Sequence, residues 1–161
     1  MSEAATHGAL TGAVLTPDAR GYVPATTVAI DGRGVMLIGP SGSGKSALAL
    51  QLISLGAMLV SDDLTHVAVT PDGLMAHAPD HMAGKMEARG VGLIRVPHAI
   101  SAPLAWVVDL SRTEDQRLPP SRPVTIVAKY PLATLWRVDA PHFPSALFYM
   151  VKLGVHNEDD G

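Results

Sequence analysis

The sequence predicts an α/β domain with a mixed β-sheet, and three observations lead to this class. Short apolar runs of strand length, such as 26–30 and 35–38, stand beside one amphipathic segment of helix length at 45–55. A glycine-rich loop joins the second run to that segment. Beyond residue 64 the chain changes to short apolar runs separated by prolines and a P-D-G turn signal at 71–73, which is typical of hairpins. The domain should therefore be rich in strands and poor in helices.

Each element rests on a local signal. The runs 26–30, 35–38 and 58–61 are apolar throughout or nearly so, as buried strands are. The helix is predicted over 45–55, because leucines at 48, 52 and 55 share one face and Gly56 can end it. Pro144 can open a last helix over 144–153. Further strands are predicted at 65–69, 74–78, 91–96, 105–110 and 124–129, and the charged stretch 111–122 is predicted to be a mobile loop.

Length and composition exclude several classes of protein. The 161 residues suit one domain, and the absence of cysteine excludes disulfide scaffolds and cysteine-ligated metals. A net charge of −3 without a Lys/Arg run argues against a nucleic-acid partner. The sequence shows neither an apolar run of the roughly 18 residues that a membrane span needs nor a signal peptide, so a cytoplasmic protein is expected. We expect a flexible tail at 1–21, the P-loop domain at 22–155 and an acidic tail at 156–161.

The glycine-rich loop carries the most specific signal. Its letters, G-P-S-G-S-G-K-S, match the phosphate-binding pattern G-x-x-x-x-G-K-[ST] in full. Backbone N–H groups of such a loop and of the following helix start form an anion nest, the lysine reaches the β- and γ-phosphates, and the hydroxyl ligates Mg²⁺. The alternative is a glycine-rich turn with an incidental lysine. The pattern predicts ATP and Mg²⁺ as cofactors, bound by Gly39, Pro40, Ser41, Gly42, Ser43, Gly44, Lys45 and Ser46.

Two adjacent carboxylates follow the next apolar strand. Asp62 and Asp63 point in different directions on an extended chain. One can hold a magnesium-bound water while the other accepts a proton from an incoming hydroxyl. The alternative is that both cap the following turn, as aspartates often do. Because an apolar strand that ends in an acid is the Walker B arrangement, the pair favours phosphoryl transfer.

Three blocks in order resemble the HPr kinase/phosphorylase family, bacterial enzymes that phosphorylate a serine of the phosphocarrier protein HPr and so regulate the phosphotransferase system. The blocks are 34–46, with the phosphate loop, 59–63, with L-V-S-D-D, and 86–96, with M-E-A-R-G-V-G-L-I-R-V. The third is similar to the E-x-R-G-x-G signature and discriminates most. The similarity covers about 24–96 and continues more weakly to about 155, which is like the short, catalytic-domain form of alphaproteobacteria.

The resemblance implies a fold related to phosphoenolpyruvate carboxykinase, HPr as partner and a homo-oligomer, commonly a hexamer. It implies Lys45 and Asp63 as catalytic residues, with Asp63 accepting the proton. Glu87 would be a magnesium ligand beside Ser46 and Asp62. Arg117, in Q-R-L, resembles the family's catalytic arginine. From the residues alone, Glu87 and Arg89 also fit a surface ion pair beside a glycine bulge.

The sequence departs from the family at three places. Pro24 stands where the family has a histidine that assists the catalytic aspartate, and Ala47 replaces an acid after the phosphate loop. The segment 127–132, V-A-K-Y-P-L, lacks the P-V-x-P-G-R pattern linked to phosphorolysis. We therefore expect weak or no phosphorylase activity. Candidates to replace the missing histidine are His66, His77, His81 and His98, although each is also an ordinary surface or structural residue.

Two other functions fit parts of the sequence. A nucleoside monophosphate kinase would share the G-P-S-G loop, but such kinases need more helices than this chain predicts. A nucleotide-binding regulatory protein without transferase activity would fit the replaced histidine and Ala47. Transfer of phosphate from ATP to HPr separates this regulator from the kinase.

Overall fold

A computed structural model describes residues 11–156 of the chain. The strands are β1 (Thr11–Leu15), β2 (Tyr22–Val23), β3 (Thr26–Ile30), β4 (Arg33–Ile38), β5 (Met58–Ser61), β6 (Thr65–Thr70), β7 (Gly73–His77), β8 (Lys85–Ala88), β9 (Gly92–Arg95), β10 (Ser101–Thr113), β11 (Val124–Val127) and β12 (Tyr130–Arg137). The helices are α1 (Lys45–Leu55), α2 (Phe143–Leu153) and a 3₁₀ turn at Asp80–Met82.

The principal sheet is mixed, as the sequence predicts. Its strand order is β1-β11-β12-β10-β4-β3-β5. Strands β12, β10 and β4 are parallel, whereas β3 runs antiparallel to both β4 and β5. The 13-residue β10 belongs to two layers, because its first residues pair with β7 and its later residues pair with β4 and β12. One long strand thus ties the β6–β7 hairpin to the strand that precedes the phosphate loop.

Apolar side chains fill both faces of this sheet. On one face, α1 contributes Leu48, Ala49, Leu52 and Ile53, and α2 packs beside it. This i, i+4 pattern is the face that the leucine spacing predicts, although Leu55 remains exposed. The β6–β7 hairpin covers the other face with residues such as Val67 and Leu74. The loop between β4 and α1 is therefore held between two well-packed elements.

Most predicted elements are confirmed, including α1 with its bounds unchanged. The predicted loop 111–122 begins too early, because β10 continues to Thr113. Strand β12 was not predicted. It forms because a turn at Ala128 and Lys129, both with positive φ, folds it back onto β11. Among the described residues no helix is long and apolar enough to span a membrane.

The expected flexible tail at 1–21 is wrong for residues 11–15. Thr11–Leu15 forms β1 and pairs in parallel with β11, with Val14 opposite Ile126. The backbone of β1 is hydrogen-bonded by the edge of β11, which is more than a hundred positions away in the sequence, so no local sequence pattern predicts this strand. Residues 1–10 of the expected N-terminal tail and 157–161 of the expected C-terminal tail lie outside the described residues.

Candidate active site

The phosphate loop connects the buried strand β4 to the start of α1, as the motif requires. Gly39 has φ 145°, and a Cβ there would lie 2.7 Å from Ser43 Oγ, so the loop folds tightly on itself. Lys45 Nζ donates hydrogen bonds to the carbonyl oxygens of Gly39 (2.7 Å) and Pro40 (3.2 Å). The ammonium group therefore lies across the loop, close to the backbone N–H groups that can bind phosphate.

A carboxylate at the end of β5 connects three other elements. Asp62 is buried, and its Oδ1 accepts hydrogen bonds from Ser46 Oγ (2.9 Å) and Thr26 Oγ1 (3.1 Å). Its Oδ2 accepts a longer bond from the backbone N–H of Glu87 (3.4 Å). A hydroxyl beside a carboxylate offers hard oxygen donors, which Mg²⁺ prefers together with phosphate oxygens and water. The residues present thus fit the magnesium ion that the phosphate loop implies.

Asp63 is placed differently from its neighbour. Its backbone adopts φ 64°, its N–H donates to Thr26 Oγ1 (3.1 Å), and its side chain is exposed. Partial burial raises the pKa of Asp63 above its ordinary value, and the negative charges of Asp62 and Glu87 raise it further. The positive charge of Lys45 lowers this pKa but does not offset the rise. A carboxylate with a raised pKa is a better proton acceptor than an ordinary one.

A cavity of about 270 Å³ brings the loop and Asp63 together. Its lining comes from the phosphate loop, the start of α1 and two residues outside them: Ser41, Gly42, Gly44, Lys45, Ser46, Ala47, Asp63 and Arg89. Arg89 follows β8 at the turn of the β8–β9 hairpin. The E-x-R-G-x-G block therefore contributes a cation to the mouth of the phosphate loop.

Glu87 lies near the two aspartates, but its side chain is exposed. Within residues 11–156, no three His, Asp or Glu side chains are grouped closely enough to hold a metal ion by themselves. A magnesium ion here would need the Ser46 hydroxyl, phosphate oxygens and water in addition to carboxylates.

The structure does not bring Arg117 to the phosphate loop. Arg117 lines a separate cavity of about 270 Å³, together with Trp136 and His142, and none of its lining residues belongs to the loop's cavity. A different arginine contacts the loop: the Arg137 guanidinium donates to the carbonyl oxygen of Ser43.

The candidate histidines also lie elsewhere. His66 and His77 line a cavity beside Tyr22, and His98 lines one beside Lys85. None of them lines the cavity that contains Asp63. The residue that contacts Asp62 and Asp63 is Thr26, two positions after Pro24.

Sequence reasoning missed Thr26 and Arg137. Thr26 reads as one more strand residue, and Arg137 has no motif around it. Arg137 ends β12, and ligands gather at the carboxyl ends of strands in open α/β sheets. Thr26 instead begins β3, and it reaches the same edge of the sheet because β3 runs antiparallel to β4.

A buried strand, a glycine-rich loop, a helix that starts with Lys-Ser and an acid after a nearby strand form the arrangement that is typical of P-loop proteins. The chain belongs to the HPr Serine kinase C-terminal domain family, whose model matches residues 19–102. This confirms the family resemblance drawn from the three sequence blocks.

Curated relatives match the same part of the chain. HPr kinase/phosphorylase from Lachnoclostridium phytofermentans is 44% identical over 70 residues, which are 43% of this chain and 23% of the relative. The protein of the same name from Clostridium acetobutylicum is 39% identical over 83 residues, 52% of this chain and 27% of the relative. In Bordetella pertussis the match is 44% over 66 residues, 40% of this chain and 21% of the relative. The matched part of the chain thus covers only about a quarter of the length of these relatives.

A solved structure shares the fold. The Hpr(Ser) kinase/phosphatase from Coxiella burnetii superposes with a TM-score of 0.71 at 23% identity, covering 81% of this chain and 87% of that chain. The similarity extends beyond the residues that the family model matches. It confirms the predicted α/β class with a mixed sheet.

Proposed function

We propose that this protein is an ATP-dependent kinase that phosphorylates a seryl residue of an HPr-like phosphocarrier protein. The observation that supports this most is one hydrogen-bonded network. Ser46 at the start of α1 and Thr26 at the start of β3 both donate to the carboxylate of Asp62, which follows β5, and Thr26 also accepts a hydrogen bond from the backbone N–H of Asp63. In this proposal Ser46 and Asp62 would bind the cation, and the exposed carboxylate of Asp63 lies beside the same phosphate loop. The curated relatives, all named HPr kinase/phosphorylase, point to the same substrate.

In this proposal each residue has one role. The phosphate loop and Lys45 would hold the triphosphate. Ser46 and Asp62 would hold the magnesium ion, with Glu87 as a further ligand. Magnesium neutralises charge on the β- and γ-phosphates when bound. Asp63 accepts the proton of the seryl hydroxyl as the bond to phosphorus forms, and its raised pKa suits that role. Catalysis then comes mainly from positioning.

Arg137 and Arg89 take the place that the sequence resemblance gave to Arg117. Both lie beside the loop, whereas Arg117 lines another cavity. A guanidinium next to the transferred phosphate stabilises the charge that develops on it. We therefore assign the catalytic cations to Lys45, Arg89 and Arg137.

We propose that the reverse reaction, phosphorolysis of seryl-phosphorylated HPr, is weak or absent. Residues 127–132 form the end of β11, a tight turn and the start of β12. Their backbone is used in sheet pairing, and the segment lacks the P-G-R element. A homo-oligomer, a hexamer by family resemblance, is also proposed and is measured by light scattering.

The experiment is transfer of label from γ-³²P-ATP to purified HPr with Mg²⁺. The control substrate is HPr with its target serine replaced by alanine. Label on HPr but not on this control supports the kinase. ATP binding without transfer to HPr would favour the nucleotide-binding regulator and refute the kinase. The other alternative, a nucleoside monophosphate kinase, has no support from a fold with two α-helices in residues 11–156.

A further inference from the structure

Two histidines face each other across the β6–β7 hairpin. His66 on β6 is directly opposite His77 on β7, and residues opposite each other in an antiparallel pair project from the same face of the sheet. Their neighbours Val67 and Ala76 are buried in the core, so the alternation of side chains along a strand directs the two imidazoles to the outer face. Both rings are half-buried there and remain open to solvent.

The distance between the two rings suits a shared metal ion. The ring centroids of His66 and His77 lie 5.9 Å apart. A zinc ion lies about 2.0–2.1 Å from each coordinating imidazole nitrogen and hence about 3.2 Å from each ring centroid, so two imidazoles on one ion have centroids about 5–6.5 Å apart. Because the observed separation falls within this range, one ion can contact both rings after a rotation of the side chains, without any movement of the strands.

Neighbouring residues hold the ring of His66 in place. Tyr22 on β2 is directly opposite His66 on its other side, and the two rings pack edge to face with centroids 5.2 Å apart. Gly21 also lies against the imidazole, because a Cβ at this glycine would be only 2.8 Å from His66 Nε2. A larger residue at position 21 would therefore displace the ring. Packing of this kind reduces the conformational entropy that the side chain loses when it binds an ion.

A cavity of about 360 Å³ gives an ion room beside both imidazoles. It is lined by Tyr22, His66, His77, Ala78 and Asp80, and none of these residues lines the cavity of the phosphate loop. The exposed carboxylate of Asp80 adds negative charge at its rim. Because no three His, Asp or Glu side chains within residues 11–156 are close enough to enclose a metal ion, this ion would have two imidazole ligands and water in its remaining positions.

We propose that His66 and His77 form a binding site for a divalent transition-metal ion of the zinc type. Imidazole suits Zn²⁺, Cu²⁺ and Ni²⁺, whereas Mg²⁺ prefers oxygen ligands, so this site discriminates against the ion that the phosphate loop implies. A bound ion would link β6 to β7 and stabilise the hairpin that covers one face of the principal sheet. The proposal is independent of the kinase activity.

The test is calorimetric titration of the full chain with zinc chloride, without a polyhistidine tag and in a large excess of Mg²⁺. The excess Mg²⁺ competes for sites built from carboxylate and hydroxyl oxygens but not for imidazole. His66→Gln and His77→Gln each remove one ligand, so one misfolded variant does not end the test. His81→Gln is the matched control, because His81 is exposed next to Asp80 but does not line the cavity. Circular dichroism checks the fold of each variant.

The expected result is one zinc ion per chain in the wild type and in His81→Gln. The other two variants should each bind zinc at least about tenfold more weakly, because loss of even an outer-shell partner costs about 10–100-fold in metal affinity. Zinc at about a hundredfold excess over its Kd should also raise the Tm of the wild type by about 5 °C, and the same zinc concentration should leave the Tm of His66→Gln nearly unchanged. A wild type that binds no zinc, a folded His66→Gln or His77→Gln with normal zinc affinity, or an equal loss in His81→Gln refutes the site.

Discussion

Thr26 is the residue whose removal tests the site most directly. It is fully buried, donates to Asp62 Oδ1 at 3.1 Å and accepts from the N–H of Asp63 at 3.1 Å. Thr26→Val keeps the shape and removes only the hydroxyl. A bond to a charged group contributes about 1.5–3 kcal/mol and a neutral one about 0.5–1.5 kcal/mol. We therefore expect a loss of about 2–4 kcal/mol in the free energy of unfolding, or about 5–15 °C in Tm for a domain of this size.

The same substitution should lower phosphate transfer by about tenfold to a hundredfold, because Asp62 and Asp63 lose the group that orients both. Differential scanning calorimetry and the labelled HPr assay measure the two effects. Thr125→Val is the matched control. It removes a buried hydroxyl, Thr125 Oγ1, that lies 2.7 Å from Thr134 Oγ1 on strands distant from β3. Thr134 keeps its hydrogen bond to the Leu132 carbonyl. The control should cost about 1 kcal/mol and leave transfer unchanged. Equal Tm losses in both variants, with normal transfer in Thr26→Val, would refute the reasoning.

Four further predictions concern nucleotide binding, phosphate transfer, stability and the reverse reaction. Lys45→Ala should abolish tight Mg·ATP binding with Tm nearly unchanged, since Lys45 bonds only loop carbonyls; unchanged ATP affinity would contradict the phosphate-loop assignment. Asp63→Asn should cut transfer by about 10²–10⁴-fold while ATP still binds; normal transfer here, with loss in Asp62→Asn, would reverse the two roles. The same variant should unfold at a higher urea concentration at neutral pH, because the pKa of Asp63 is raised in the folded protein and its ionisation therefore lowers the free energy of unfolding. This loss of stability is absent below the ordinary pKa of 3.8, grows as the pH rises above 3.8 and is complete above the raised pKa. Pyrophosphate release from seryl-phosphorylated HPr and inorganic phosphate should be close to background, and robust release would show that the missing P-G-R element is not required.

Local sequence patterns determined the phosphate-binding element of this protein. The phosphate loop, helix α1 and the strand before them are contiguous in sequence, and their pattern fixes them because glycine placement, apolar spacing and the Lys-Ser pair act within one turn or one strand. The same holds for Asp62 and Asp63 at the end of β5. The identity of the family could also be predicted from the sequence, because its three blocks are short and specific.

Only the tertiary structure decided how the site is completed. Thr26 lies 36 positions before Asp62, and Arg137 lies 94 positions after Ser43, yet each contacts its partner. Strand β1 forms because it pairs with the free edge of β11. Arg117 lies in the loop between β10 and β11, and this loop places it in another cavity. Sheet pairing between distant strands places these residues, and pairing depends on the packing of the whole domain rather than on any local pattern. The sequence thus determined which phosphate-binding element is present, and the packing of the sheet decided which side chains surround it.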